Sequence, residues 1–262
     1  MEEYKNFAIG IAKEAGEIMK KYFAIGMERM EKEDTSPVTK ADLEINSLLI
    51  KEVSRLFSTH SVLGEEESNL VKDSEYIWVC DPVDGTIPYS LGLPVATFSL
   101  ALVKNGEVVF GVVYDPFCDR LYTAEKGKGA YLNDKKIHVS DYATLEKARV
   151  EYEMWNRSKY DFQPLINELK KYNTMLLHFA SYVNPSALVA TGEFAATIFP
   201  HTTVHDVAAV KIIVEEAGGK VTDIFGNEQR YDQPINGALV SNGVIHEQLV
   251  ALAKKFVVIQ NE

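Results

Sequence analysis

Apolar positions recur every three or four residues at the start of the chain. Phe7, Ile11, Ala15, Ile18 and Tyr22 form one stripe, so the spacing predicts an amphipathic helix over the first ~20 residues. A polar loop follows at residues 31–37. Ala41, Ile45, Leu48, Leu49, Val53 and Leu56 then predict a second helix. From residue 76 the pattern changes. Residues 76–80 read as a short apolar strand. Residues 96–103 and 107–114 read as strands flanking Asn105-Gly106, a hairpin pair. Residues 120–124 read as another strand, with turns at Gly127-Lys128-Gly129 and Asn133-Asp134. Two helices followed by an antiparallel meander describe an α+β half, taken as residues 1–139.

The rhythm shifts again over residues 140–262. Strands are expected at residues 150–154, 195–199, 220–222 and 238–241. Helices are expected at residues 163–172, 186–191 and 245–256. One more opens near Asp206, continues through Val207, Val210, Ile213, Val214 and Ala217, and stops at Gly218-Gly219. Helix alternating with strand describes an α/β half, with a site expected between the halves. No internal repeat is visible.

Composition narrows the function. The chain has 262 residues and 46% hydrophobic content, enough for a substantial core. Its formal net charge is -11, with no Lys/Arg block, so nucleic acid is not an expected partner. An acidic chain binds an anion where metal ions reverse the local sign. Cys80 and Cys118 lie in no CxxC pattern, which fits reduced thiols in the cytoplasm. The opening Met1-Glu2-Glu3-Tyr4-Lys5 is unlike a signal peptide, and no apolar run is long enough for a bilayer, so no membrane is expected.

The chemistry concentrates in Trp78-Val79-Cys80-Asp81-Pro82-Val83-Asp84-Gly85-Thr86. An apolar strand ends in two carboxylates that bracket the Val83 carbonyl, a set of oxygens suited to a hard cation such as Mg²⁺. Pro82 holds Asp81 extended. Gly85 lets the backbone turn close to a ligand, and in a helical turn the Gly85 and Thr86 amides face an anion. Other acidic positions admit two readings each. Glu65-Glu66-Glu67 is a solvated run, or else Glu65, beside Gly64, points inward from a strand end. Asp206 is a helix N-cap, or it meets Asp81 and Asp84 in space. Asp42 suits the first turn of a helix through the dipole alone. His205 is a ligand, a substrate contact or a surface histidine. His60, His138 and His246 show no metal spacing. Residues 152–155 read as packing.

Taken together these residues resemble the inositol monophosphatase-like family of Mg²⁺-dependent, lithium-sensitive sugar phosphatases. The likeness rests on Val38-Thr39-Lys40-Ala41-Asp42, Gly64-Glu65-Glu66, Asp81-Pro82-Val83-Asp84-Gly85-Thr86 and His205-Asp206-Val207-Ala208-Ala209 followed by Glu216-Ala217-Gly218-Gly219. It implies an α+β fold, a layered α-β-α-β-α sandwich, usually as a homodimer. It implies a phosphomonoesterase acting on a small sugar or polyol phosphate by in-line attack of a metal-activated water. Glu65, Asp81 and the Val83 carbonyl are the implied ligands of one Mg²⁺, and Asp81, Asp84 and Asp206 of a second. A third ion near Glu65, Mn²⁺ as substitute, and inhibition by Li⁺ and Ca²⁺ are implied too. The Gly85 and Thr86 amides are implied to hold phosphate. Glu65 and Thr86 are implied to orient the attacking water, with Asp42 supporting Thr86.

Three departures from the family pattern bear on substrate. Pro88 stands where the family commonly has Asn. His205 replaces the usual Trp before the last metal Asp. Phe199 stands near the place of a substrate-binding Glu, with His201 close by. Specificity is therefore expected to differ at Pro88, Phe199, His201 and His205. Fructose-1,6-bisphosphatase, histidinol-phosphatase and 3′-phosphoadenosine-phosphate phosphatase remain alternatives, and a non-catalytic regulatory protein on this scaffold is the reading from another class.

Overall fold

The computed structural model describes residues 1–32, 37–155 and 158–260. The chain runs through α1 (Glu2–Tyr22), β1 (Arg29–Glu31), β2 (Pro37–Thr39), α2 (Lys40–Leu56), β3 (Ser61–Gly64), β4 (Tyr76–Asp84), α3 (Thr86–Ser90), β5 (Thr97–Lys104), β6 (Glu107–Asp115), β7 (Arg120–Glu125), β8 (Gly129–Leu132) and β9 (Lys135–Lys136). It continues through β10 (Arg149–Tyr152), β11 (Tyr160–Asp161), α4 (Gln163–Lys171), β12 (Met175–Leu177), α5 (Val183–Ala190), β13 (Ala196–Phe199), α6 (Ala208–Glu216), β14 (Lys220–Thr222), β15 (Ala238–Ser241), α7 (His246–Phe256) and β16 (Val258–Ile259).

One sheet has seven strands in the order β3-β4-β5-β6-β7-β8-β9. Only β3 and β4 pair in parallel; the rest is the expected meander. Asn105 and Gly106, at φ 52 and 87, form the tight turn between β5 and β6. The second sheet has five strands in the order β12-β10-β13-β15-β14. There β10 is parallel to β12 and β13, and β15 is antiparallel to both its neighbours.

Side chains alternate across each sheet, and both faces are covered. On β4 and β5, Trp78, Cys80, Leu100 and Leu102 pack under α1 and α2. Val79, Ala101 and Val103 turn the other way, into a core shared with α5 and α6. That core reaches the second sheet through Ala238 and Val240. The opposite face of the second sheet, with Val150, Ile198 and Leu239, packs on Leu165 and Leu169 of α4 and Leu249 and Ala253 of α7. The result is helix–sheet–helix–sheet–helix, an α+β sandwich in five layers.

Boundaries differ from expectation where local pattern is silent. β4 runs on to Asp84, because its pairing with β5 resumes after a bulge. α5 starts at Val183, ahead of the expected residue 186. The very short β1, β2, β11, β12 and β16 show no readable period, and their partners are distant in sequence. The ends of the expected polar loop lie in β1 and β2, and its residues 33–36 fall outside the described residues. α6 stops as expected. Gly218 takes φ 97 and its N–H bonds the Glu215 carbonyl at 2.9 Å, while the Gly219 N–H bonds that of Val214 at 2.9 Å.

His246 pins α7 to the second sheet. It is fully buried, with Nε2 3.0 Å from Thr222 Oγ1 and Nδ1 2.8 Å from Ser241 Oγ. Burial, aided by Lys220, pushes its pKa down to about 4. The unfolded chain, near the usual ~6.5, therefore binds the extra proton first. The stabilisation is complete above pH ~6.5 and is lost as the pH falls through about 4, at most ~3 kcal/mol. Urea unfolding of wild type and His246→Gln at pH 7 and pH 4.5 checks this. The stability gap between the two proteins is expected to narrow at the lower pH; a constant gap refutes the assignment.

Candidate active site

Parallel pairing of β3 with β4 places Gly64 opposite Cys80. Glu65, just past the end of β3, therefore lies beside Asp81 of β4, tied by the Glu65 N–H to the Cys80 carbonyl at 3.1 Å. Three residues apart on a regular strand, Asp81 and Asp84 would point to opposite faces. The bulge removes that conflict. Asp81 lies opposite Ser99 and Asp84 opposite Thr97, so β4 carries one extra residue between them. Both carboxylates then line one cleft with Glu65, Val83, Gly85, Thr86 and Asp206.

Each acid is fixed by a different set of donors. Asp84 Oδ1 accepts the Tyr182 N–H at 2.7 Å, and Oδ2 accepts Thr97 Oγ1 at 3.2 Å, the Asn184 N–H at 3.2 Å and the Ser181 hydroxyl. Burial nevertheless lifts its pKa to about 6. Asp81 Oδ1 accepts the Val83 N–H at 3.0 Å, and burial followed by Glu65 and Asp84 pushes its carboxyl well up. Asp206 is not an N-cap: α6 is capped at Val207 without a side-chain bond. Its Oδ2 instead accepts Thr203 Oγ1 at 2.6 Å and lies 3.0 Å from His201 Nδ1. Burial opposes its charge, but His205 and His201 outweigh it and hold the carboxyl below the usual range.

Asp42 is fully buried, and burial raises its pKa to about 7. It accepts the Thr39 N–H at 2.8 Å, closing a capping box on α2, and faces Thr86 Oγ1 at 3.3 Å. Thr86 Oγ1 also donates to the Val83 carbonyl at 2.8 Å. Gly85, at φ 79, turns the chain into α3 in a conformation that glycine adopts without strain.

The donor set fits a hard divalent cation. Asp81, Asp84 and Asp206 are at most 3% exposed, and every cleft donor from them, Glu65 and the Val83 carbonyl is oxygen. So many buried carboxylates in one place need countercharge. No three of these carboxylates bring oxygens within 4.8 Å of one another; among the described residues only Glu151, Glu153 and His178 form such a group. The cleft acids lean on other partners, Glu65 on Lys32 at 2.8 Å and Asp206 on Thr203.

The expected specificity positions divide. His201 and His205 line the cleft. Pro88 and Phe199 do not: Pro88 is buried in α3, and Phe199 is buried on β13 with its ring 5.0 Å from that of Tyr182. Trp155, read as packing, lines the cleft instead, with Tyr182, Ile87, Ala180 and Pro37. The Tyr182 and His201 rings lie 4.7 Å apart, and those of Trp155 and His201 6.2 Å. Lys32 was also missed; it pairs with Glu66 at 2.6 Å as well as with Glu65. No local motif marks these residues, since chain folding alone brings them to the acids.

The chain resembles known proteins over most of its length. The family model described as the inositol monophosphatase family matches residues 1–257. A fructose-1,6-bisphosphatase/inositol-1-monophosphatase of Thermotoga maritima is 33% identical over 222 residues, covering 84% of this chain and 83% of its own. Human inositol monophosphatase 1 is 29% identical over 276 residues, covering 100% and 97%. Among solved structures, an IMPase of Thermotoga maritima superposes with a TM-score of 0.87 at 29% identity, covering 97% of each chain.

Proposed function

The chain belongs to the inositol monophosphatase family and is a phosphoric monoester hydrolase of sugar phosphates, and from this we propose that the cleft is its catalytic centre, Mg²⁺-dependent and acting on a small polyol or sugar monophosphate. The observation that carries the reading is the meeting of Asp81, Asp84, Asp206 and Glu65 beside the Gly85–Thr86 turn. Glu65, Asp81 and the Val83 carbonyl would hold one cation, and Asp81, Asp84 and Asp206 another. When bound, such cations neutralise the phosphoryl oxygens, make water a better nucleophile and clamp the attacking and leaving oxygens.

The chain's own groups supply position. The Gly85 and Thr86 amides seat the phosphate. Glu65 and the Thr86 hydroxyl orient the attacking water on one side of phosphorus, and Asp42 fixes Thr86 through the 3.3 Å contact. The leaving alkoxide departs toward Asp206 and takes its proton from water there. Trp155, Tyr182, His201 and His205 wall the leaving-group side, so they set substrate choice. The net change is one water consumed, one alcohol and one phosphate released.

Unpaired Cys80 and Cys118 support a reducing, cytoplasmic setting, and a homodimer follows from the family likeness. Among the described residues no helix is long and apolar enough to cross a membrane.

Phosphate release tests the reading. Inositol 1-phosphate, fructose 1,6-bisphosphate, histidinol phosphate, 3′-phosphoadenosine 5′-phosphate and glycerol 2-phosphate would each be run with Mg²⁺ and with EDTA. Turnover of at least one, abolished by EDTA and restored by Mg²⁺, is the expected result. Turnover that persists in EDTA overturns the metal-dependent mechanism. Silence across the panel in a protein that binds Mg²⁺ favours a non-catalytic role.

A further inference from the structure

A second acidic cluster lies behind the cleft, outside the machinery just described. Glu151 on β10 and Glu153 just beyond it are two residues apart, so they point to one face. β12 runs parallel to β10 with Leu177 opposite Glu151, which delivers His178 to the same strand ends. One ligand atom from each of the three lies within 4.8 Å of the others.

The cluster is internally unbalanced. Both glutamates are fully buried. Among the described residues neither oxygen of Glu151 has a hydrogen-bond partner, and neither has Glu153 Oε2, which stands 3.4 Å from His178 Nδ1. Buried carboxylates without partners are strongly disfavoured unless something neutralises them. A proton held between them is one remedy, and burial followed by Glu153 does push the Glu151 carboxyl well up. A cation is the other. The His178 side chain is about half exposed, so the cluster has a route to solvent.

We propose that Glu151, Glu153 and His178 form a binding site for a Zn²⁺-class cation, separate from the catalytic cleft. Two carboxylates and one imidazole match the ligand chemistry of Zn²⁺. The imidazole sets the site against Mg²⁺ and Ca²⁺, which prefer oxygen throughout. Ligand atoms each about 2.1 Å from one ion stand at most ~4.2 Å apart, so the cluster closes on the ion by small side-chain rotations. The surroundings hold Glu153 for this task. Its Oε1 accepts the N–H groups of Phe179 at 3.2 Å and Ser181 at 3.3 Å. His178 Nδ1 donates to the Tyr152 carbonyl at 2.9 Å, which orients the ring and leaves Nε2 as the nitrogen that would ligate.

Occupancy has a structural consequence. The segment anchored on Glu153 leads straight into Ser181 and Tyr182, which bind Asp84. A cation held by Glu151, Glu153 and His178 stiffens the backing of that acid without touching substrate.

The test is metal retention by the full-length protein. Wild type, Glu151→Gln and His178→Ala are dialysed against Zn²⁺ in a large excess of Mg²⁺, and their zinc content is measured. Zinc held in the cleft is common to all three and cancels. Wild type is expected to retain about one equivalent more than either variant, with X-ray absorption showing one nitrogen and carboxylate oxygens on the extra ion. Equal zinc in all three overturns the site and leaves the glutamates sharing a proton. If Glu151→Gln does not fold, His178→Ala carries the comparison, because its ring is half exposed and its removal opens no core cavity.

Discussion

Asp84→Asn is expected to lower Mg²⁺-dependent phosphate release on the order of 10³-fold, with little change in the stability of the metal-free protein. The activity loss follows from the proposed role. Cation stabilisation of a phosphoryl transition state is worth several kcal/mol, and each ~1.4 kcal/mol is tenfold in rate. The stability forecast follows from two opposed effects. Burial raises the Asp84 pKa to about 6, so removing the charge relieves up to ~3 kcal/mol at neutral pH. The substitution also sets an amide NH₂ against the Tyr182 N–H or the Asn184 N–H, both of which donate to Asp84. One backbone donor then loses its acceptor, at about 1–3 kcal/mol. The two nearly offset. Thermal unfolding in EDTA should therefore find the variant close to wild type, while the rise in Tm that Mg²⁺ gives wild type should be lost. Retained hydrolysis in the variant would falsify the assignment of Asp84. A variant that is inactive only because it is largely unfolded in EDTA would say nothing for a metal role and would count against the offset argued here.

Much of this site was legible because its parts are local. The segment from Asp81 to Thr86 packs two acids, a carbonyl, a turn-former and a hydroxyl into one short stretch, and chemistry alone picks it out. The α1 and α2 stripes and the Asn105-Gly106 turn likewise depend on residues near one another. What local pattern lacks is pairing at a distance. Asp81 and Asp84 share a cleft only because β4 bulges against β5, and Glu65 joins them only because β3 lies parallel to β4. Asp206 could be read as a cap until Thr203 and His201 were seen to occupy its oxygen. Phe199 and Pro88 do not line the cleft but are buried behind it, against Tyr182 and Gly85, while Trp155 and Tyr182 arrive from segments with no motif. Glu151 and Glu153 are not singled out by sequence, since nothing in a sequence tells a buried carboxylate from a solvated one.

Gly85→Ala separates the phosphate seat from the metal ligands, because it leaves every carboxylate in place. Gly85 sits at φ 79, where an alanine is strained by about 1–2 kcal/mol. A Cβ there would also stand 2.6 Å from the Val95 carbonyl oxygen, 3.2 Å from Ser181 Cβ and 3.4 Å from Pro88 Cγ. The nearest of these is backbone and cannot rotate aside, so the turn itself must shift. Thr86 moves with it on one side, and Ser181, which bonds Asp84, is pushed on the other. A displacement of about 1 Å at a reacting centre is enough for a ~10²-fold loss of rate. The expected result is a fall of that size in kcat/KM, together with about 2–3 kcal/mol of lost stability. Gly127→Ala is the control, since Gly127 has a similar φ of 76 and, among the described residues, no atom within 4 Å of an added Cβ. It bears the backbone strain alone, so it should lose about 1 kcal/mol and keep full activity. If the two variants behave alike, the close approach at Gly85 carries no catalytic weight and the phosphate seat must be sought elsewhere in the cleft.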